Sequence, residues 1–448
     1  MTAATPWERF SHGPWDAGMV VPQTPPDEAT RVARGLPQTL RPVPGEGVTQ
    51  RPAHDPAAGH HVRGMRLSEP QFVDAGTGAA WYAARRHALD HVLAAVAGSE
   101  WAEHLVLRGS VLLKAWFGDA AREPGDLDFV VVPHTWQLQD ARTDALFTDV
   151  ARAAEALSQE PGSPVRIDAS GAASDEIWTY DRVPGRRLVL PWTATADGVP
   201  QGTVQLDFVF NEPLPEPPVR TELPRAAPGG TPAVLKAASP ALSLAWKILW
   251  LVSDSDPEAK DLYDAVLLAE GARTHLTYEL LDRVLRESGE PADLGYILYS
   301  AAEADWFEFH KDHPELPDSD SGYLARLVMA LAPVFAPDED GLYARLAAAF
   351  HDTTELVREE RAAGGMEAVE AWFAARCVHS LGAVVVVREL LGRTECTLRG
   401  AADVLMTFRD KCFGRDEPLY KEGGWAGSPH GMAARLEAAG AAGAAVSR

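Results

Sequence analysis

The segment GDLDFVVV carries two carboxylates, Asp126 and Asp128, two residues apart in a run that otherwise reads as a strand. On a strand that spacing points both acids to one face and leaves Leu127 and Phe129 to pack on the other. Hard oxygen donors so arranged suit magnesium, with manganese as the alternative ion. Moving a nucleotidyl group from a nucleoside triphosphate calls for such ions, two in the expected arrangement, to neutralise the polyphosphate and activate an attacking hydroxyl. A third acid, Asp207 in VQLDFVF, alternates with Leu206 and Phe208 and is expected to complete the set from a neighbouring strand. Ahead of the pair stands Gly109-Ser110, a strand-to-helix turn where glycine lets the backbone approach a phosphate and Ser110 can donate to it.

Each piece also has an ordinary structural reading. An Asp-x-Asp at the start of a strand is commonly a solvated turn, and Gly-Ser before a helix is commonly a cap. Asp207 has the strongest independent case, because an acid in so apolar a run needs a partner or an ion if its face is buried. The order of the pieces favours chemistry: helix, strand, Gly-Ser, helix, Asp-x-Asp strand, then a hairpin with the third Asp.

The elements that must position these residues are marked by periodicity and punctuation. From Ala79 to Val96, Trp81, Ala84, Ala88, Val92 and Ala95 recur at helical spacing, and Gly98 supplies a stop. A short strand and a helix surround the Gly-Ser turn. LDFVVVP is a strand ended by Pro133, and a helix runs from Asp140 to Leu157. Around Ala196-Asp197-Gly198 two strand-like runs form a long antiparallel hairpin whose second arm carries Asp207. Beyond the Pro-rich stretch 213–232 the composition is helical, with Ser239-Pro240 and Asp256-Pro257 as helix starts and Gly271 closing the helix from Pro257. The reading is α+β: a small mixed sheet carrying the acids, followed by a mostly helical domain. Residues 1–66 are a Pro/Gly-rich extension, draped or disordered, 67–232 the catalytic domain, 233–330 a helical domain closing over the nucleotide, and 331–448 a C-terminal helical region with a frayed tail.

The formal charge of −23 weighs against a protein that grips nucleic acid over a wide surface. The basic clusters are small: the doublets Arg85-Arg86 and Arg186-Arg187. Cys377, Cys396 and Cys412 lack paired CxxC spacing, which argues against a disulfide framework or a structural zinc site and for buried thiols. Without a spanning apolar run or a secretory layout at the N-terminus, the expectation is a cytoplasmic protein with no membrane partner.

The stretch LRGSVLLKAWFGDAAREPGDLDFVVV resembles the first motif of the AbiEii/AbiGii-type nucleotidyltransferases, toxins of type IV toxin-antitoxin and phage abortive-infection systems within the DNA-polymerase-beta-like superfamily. The family's Gly-Ser turn, Arg and Asp-x-Asp match Gly109-Ser110, Arg122 and Asp126/Asp128. Its helical Lys matches Lys247 in LSLAWKILWLV, and its Arg-Asp-x-x-Asp helix resembles KDLYDAVLLAE through Lys260, Asp261 and Asp264. The resemblance covers about residues 80–310. It implies a nucleotidyltransferase core in which Gly109, Ser110, Arg122, Lys247, Asp261 and Asp264 bind nucleotide and phosphate, and Asp126, Asp128 and Asp207 hold two magnesium ions. It also implies an NTP substrate, an RNA acceptor such as tRNA, and a separately encoded antitoxin. Departures are Gly125, where the superfamily often has Ser or an acid, and Lys260 in place of Arg.

Other readings stand beside these. Lys247, among Leu244, Trp246, Ile248 and Leu249, can equally be a side chain that snorkels from the edge of a buried helix. Lys260 and Asp264 can be a surface i,i+4 pair, and Arg122 a loop charge. Trp246 and Trp250 read as core. The whole chain can act on a small molecule or a protein hydroxyl, or keep the fold as a catalytically inactive interaction module.

Overall fold

The computed structural model describes residues 6–10, 15–16, 18–55, 57, 64–179, 183–226, 230–254, 257–306, 309–310, 316, 320–376, 379–413 and 427–446. Asp256 and Cys377 lie outside them, as does the side chain of Cys412. The chain divides into two compact units, Met1–Ser239 and Pro240–Arg448.

The first unit opens with the Pro/Gly-rich extension, which folds. Trp7, Phe10, Val21, Leu36, Leu40 and Met65 form a buried cluster of their own. Helix α1 (Glu28–Arg34) starts where the Asp27 side chain accepts from the Thr30 amide, and ends at Gly35, whose φ of 59° is open to a glycine. Strand β1 (Val48–Thr49) pairs with β4 (Gln71–Phe72), and β2 (Pro52–His54) pairs with β3 (Met65–Leu67). Apolar residues too widely spaced to show a period are gathered here by irregular backbone.

Eight strands build the main sheet: β5 (Leu105–Arg108), β6 (Asp126–Val131), β7 (Val165–Ile167), β8 (Ala173–Thr179), β9 (Val183–Ala194), β10 (Gly202–Val209), β11 (Val219–Leu223) and β12 (Ala233–Ala237). Their order is β11-β12-β5-β6-β10-β9-β7, with β8 also pairing β9. Strand β10 runs parallel to β6 and β12 parallel to β5, while the other pairs are antiparallel. The sheet is therefore mixed, and β9 and β10 form the hairpin that the Asp-Gly turn predicts.

Helices α2 (Ala75–Ala97), α3 (Ser110–Phe117) and α4 (Ala141–Ser158) accompany the sheet. Helix α2 starts at Ala75, ahead of the periodic stretch, because Asp74 caps it by accepting from the Thr77 amide at 2.7 Å. Phe129 of β6 stacks on Phe208 of β10 at 5.5 Å, and Phe147 of α4 meets Phe208 at 4.8 Å. Leu127, Phe129, Leu206 and Phe208 are completely buried. Each such side chain contributes roughly 1.5–3 kcal/mol. This apolar layer binds β6 and β10 together from the face opposite their acids.

The second unit is helical among its described residues. Helix α5 (Pro240–Ser253) is apolar nearly all round and buried from Leu242 to Val252, as a core helix must be. Trp246 and Trp250 lie in that core. Helix α6 (Ala259–Glu270) begins after Glu258 rather than at Pro257, and Gly271 closes it by donating to Leu268. Further helices span Tyr278–Arg286, Leu294–Ala301, Asp320–Phe335, Leu342–Ala349, His351–Ala374, Ser380–Leu391, Leu398–Phe413 and Pro429–Val446. The Ala/Gly-rich tail is thus helical to Val446, anchored by buried Met432, Ala433 and Leu436. Cys396 is a buried free thiol. Among the described residues no helix is long and apolar enough to cross a membrane.

Candidate metal and phosphate site

The parallel pairing of β6 with β10 sets Asp207 directly opposite Asp128 and Gln205 opposite Asp126. Side chains at paired positions of one ladder share a face. One oxygen each of Asp126, Asp128 and Asp207 accordingly lies within 4.8 Å of the others. Asp126 and Asp128 are half-buried and Asp207 is buried.

Strand β5 lies on the other side of β6, with Arg108 opposite Asp128, and the chain leaves it through Gly109. Gly109 holds φ 87° and ψ −162°, a conformation essentially restricted to glycine. A β-carbon there would sit 2.3 Å from Asp128 Oδ2. Ser110 is the first residue of α3. Its hydroxyl is buried and has no hydrogen-bond partner, and the turn makes no side-chain cap bond. The Gly-Ser turn is thus not a hydroxyl cap. A buried hydroxyl without a partner is costly unless something binds it, and the first turn of a helix offers free amides to an anion. Three hard carboxylate oxygens, one of them on a carboxylate that lies against Gly109, and the spare Ser110 hydroxyl fit a magnesium ion and the phosphate it would accompany.

Asp207 is not left to repel its neighbours. Arg187 stands opposite it on β9 and donates from Nε to Oδ1 at 2.9 Å and from Nη2 to Oδ2 at 2.8 Å. Its Nη1 donates to Asp55 Oδ2 at 2.5 Å. Burial pushes the Asp207 carboxyl above its ordinary range, with Arg187 pulling back and Asp126 adding to the rise. Burial likewise disfavours the Arg187 charge, but Asp207 and Asp55 outweigh it and hold the guanidinium well above its ordinary value.

The arginine doublets are therefore not basic patches. Arg187 is buried between two acids, and Arg186 pairs with Asp144 at 2.7 Å. Arg85 pairs with Glu69 at 2.8 Å and Arg86 with Glu123 at 2.5 Å. Asp55 and Arg187 are charged residues of this cluster that sequence reasoning did not assign to the site. The signal for Arg187 was present: a hairpin turning about Asp197 sets residue 187 opposite residue 207. Asp55 had none, since its contact joins distant parts of the chain.

Arg122 lies half-buried in the loop before β6. Lys247, Asp261 and Asp264 form their own cluster in the second unit. Lys247 Nζ reaches Asp261 Oδ1 at 2.6 Å and Asp264 Oδ2 at 2.9 Å, and stands 4.8 Å over the Trp250 ring. All three are buried, so Lys247 does not snorkel to water. Burial raises the Asp261 carboxyl, and Lys247 opposes that rise. Asp264 is 1% exposed and Lys260 pairs with Glu258 at 2.6 Å, so the surface i,i+4 pairing is replaced by contacts between α5 and α6.

The family model for the nucleotidyl transferase AbiEii toxin of type IV toxin-antitoxin systems matches residues 91–363, more than half of the chain. The chain belongs to the AbiEii nucleotidyltransferase toxin family. The matched span takes in Gly109, all three clustered aspartates, Arg187 and the Lys247 cluster, but begins after Asp55. No curated protein matches the chain.

Proposed function

We propose that this AbiEii family member transfers a nucleoside monophosphate from an NTP to an acceptor hydroxyl, with Asp126, Asp128 and Asp207 holding magnesium. The observation that carries this reading is the meeting of three carboxylate oxygens within 4.8 Å on neighbouring strands. Bound magnesium would supply neutralisation of the polyphosphate and a lower pKa for the acceptor hydroxyl. The chain's own groups do the rest. Gly109 lets the Asp128 carboxylate lie against its backbone, Ser110 donates its hydroxyl to a phosphate of the nucleotide, and the first amides of α3 add their partial positive charge. Ser110 serves to orient and to stabilise charge rather than to take a proton.

Membership in a type IV toxin-antitoxin family supports a separately encoded antitoxin as partner, and an RNA such as tRNA is the acceptor we propose. A second reading, transfer to a small molecule or a protein hydroxyl, is favoured by the charge of −23 and by arginine doublets already paired with acids. Incubating the protein with labelled NTPs and magnesium, alongside total RNA or cell protein, separates the two. Label in RNA supports the first and label in protein the second. If no pyrophosphate is released with any NTP, or if Asp126→Asn releases it as fast as wild type, the proposed chemistry is wrong.

A further inference from the structure

We propose that Asp55 and Arg187 are positioning residues of the metal site: Asp55, from the extension ahead of the family's matched span, holds Arg187 so that its guanidinium fixes the orientation of Asp207. The proposal rests on the reading of Asp126, Asp128 and Asp207 as metal-holding residues, and assigns the extension a part in it.

Three observations carry it. Arg187 and Asp207 are register partners of the β9–β10 hairpin, and both Asp207 oxygens accept from the one guanidinium. Such a two-point contact fixes the plane of a carboxylate, which a single hydrogen bond does not. Gln205 Nε2 adds a donation to Asp207 Oδ2 at 3.2 Å. Asp207 then accepts three bonds of the roughly four that a carboxylate can take, so capacity remains for a cation. The remaining edge of the guanidinium is taken by Asp55, itself buried.

The charges explain why a second acid belongs there. With Asp207 alone, Arg187 would cancel the charge of a metal-holding carboxylate and leave a neutral pair beside the ion's place. Asp55 answers the guanidinium charge, leaving the group of three with one net negative charge. Asp207 is thereby held still within a group that keeps a net negative charge toward a cation. Partners that orient metal-holding carboxylates act in this way, and their removal costs about 10–100-fold in metal affinity.

The test is a calorimetric titration of the full-length chain with Mn2+, together with melting temperatures in EDTA. Wild type, Asp126→Asn, Asp55→Asn, Asp55→Glu and Arg187→Lys are compared. The expected result is that Asp55→Asn, which keeps the shape of the side chain and loses its charge, weakens Mn2+ binding about tenfold. Asp55→Glu restores most of the loss. Arg187→Lys keeps the charge, loses the two-point contact and also weakens binding. If Asp55→Asn melts early in EDTA, Arg187→Lys becomes the deciding variant. Wild-type Mn2+ affinity in Arg187→Lys, or in a folded Asp55→Asn, overturns the proposal. Wild-type affinity in Asp126→Asn instead overturns the metal reading beneath it, so the two failures are distinct.

Discussion

Gly109 stands so close to Asp128 that a β-carbon on it would lie 2.3 Å from Asp128 Oδ2, far inside contact distance. The obstructed atom is the end of a side chain, so an alanine here is accommodated by turning the Asp128 carboxylate away. Its backbone, at φ 87°, adds a conformational cost of about 1–3 kcal/mol. Gly109→Ala is therefore expected to fold with a lowered melting temperature and to lose magnesium-dependent pyrophosphate release almost completely. An alanine variant with wild-type turnover would mean that the position of Asp128 is immaterial.

The acids of the cluster should respond oppositely to loss of charge. Asp126→Asn relieves like-charge repulsion, so the metal-free melting temperature holds or rises. Asp207→Asn withdraws half of what balances buried Arg187, and breaking such a pair costs about 3 kcal/mol. Chemical denaturation in EDTA reads both. Equal stability of the two variants would contradict the buried role of Arg187.

Ser110→Ala removes a buried hydroxyl that has no partner in the folded chain. Stability should stay level or improve. Transfer should fall roughly ten- to hundredfold, the effect of losing a hydrogen bond of about 1.5–3 kcal/mol to a charged phosphate. Steady-state kinetics of pyrophosphate release check this, and unchanged kcat/KM would leave the hydroxyl without a task.

Lys247 is buried between Asp261 and Asp264. Lys247→Met leaves two acids in the core without their cation and should cost about 3–5 kcal/mol in urea unfolding. The triple variant Lys247→Met, Asp261→Asn, Asp264→Asn should regain most of that loss. A cost below about 1 kcal/mol for Lys247→Met would fit an exposed pair and not this cluster.

Much of the sheet was legible because alternation and turn chemistry are local. LDFVVVP gave its strand by β-branched residues and a proline, and the Asp-Gly turn gave the hairpin and, through its register, the pairing of residues 187 and 207. The gathering of Asp207 with Asp126 and Asp128 followed from strand alternation and from an acid placed in an apolar run. What was not legible depended on which faces meet. An arginine doublet reads as solvated charge until the buried acid opposite is known. Lys247 reads as a helix-edge side chain until α6 is packed against α5. The core of the extension escaped notice because Trp7, Phe10, Val21, Leu36, Leu40 and Met65 follow no period.

The parallel ladder between β6 and β10 has an entropic consequence. Asp128 and Asp207 project from paired backbone positions whose separation is set by interstrand hydrogen bonds, and the Arg187 contact removes side-chain freedom from Asp207. Side chains of this kind surrender up to about 1–2 kcal/mol of rotamer freedom each when they are first ordered. Here much of that ordering accompanies the closing of the sheet, before any ion arrives. A cation meeting this cluster gives up its water to donors already in place, and less of its binding energy is spent on gathering them.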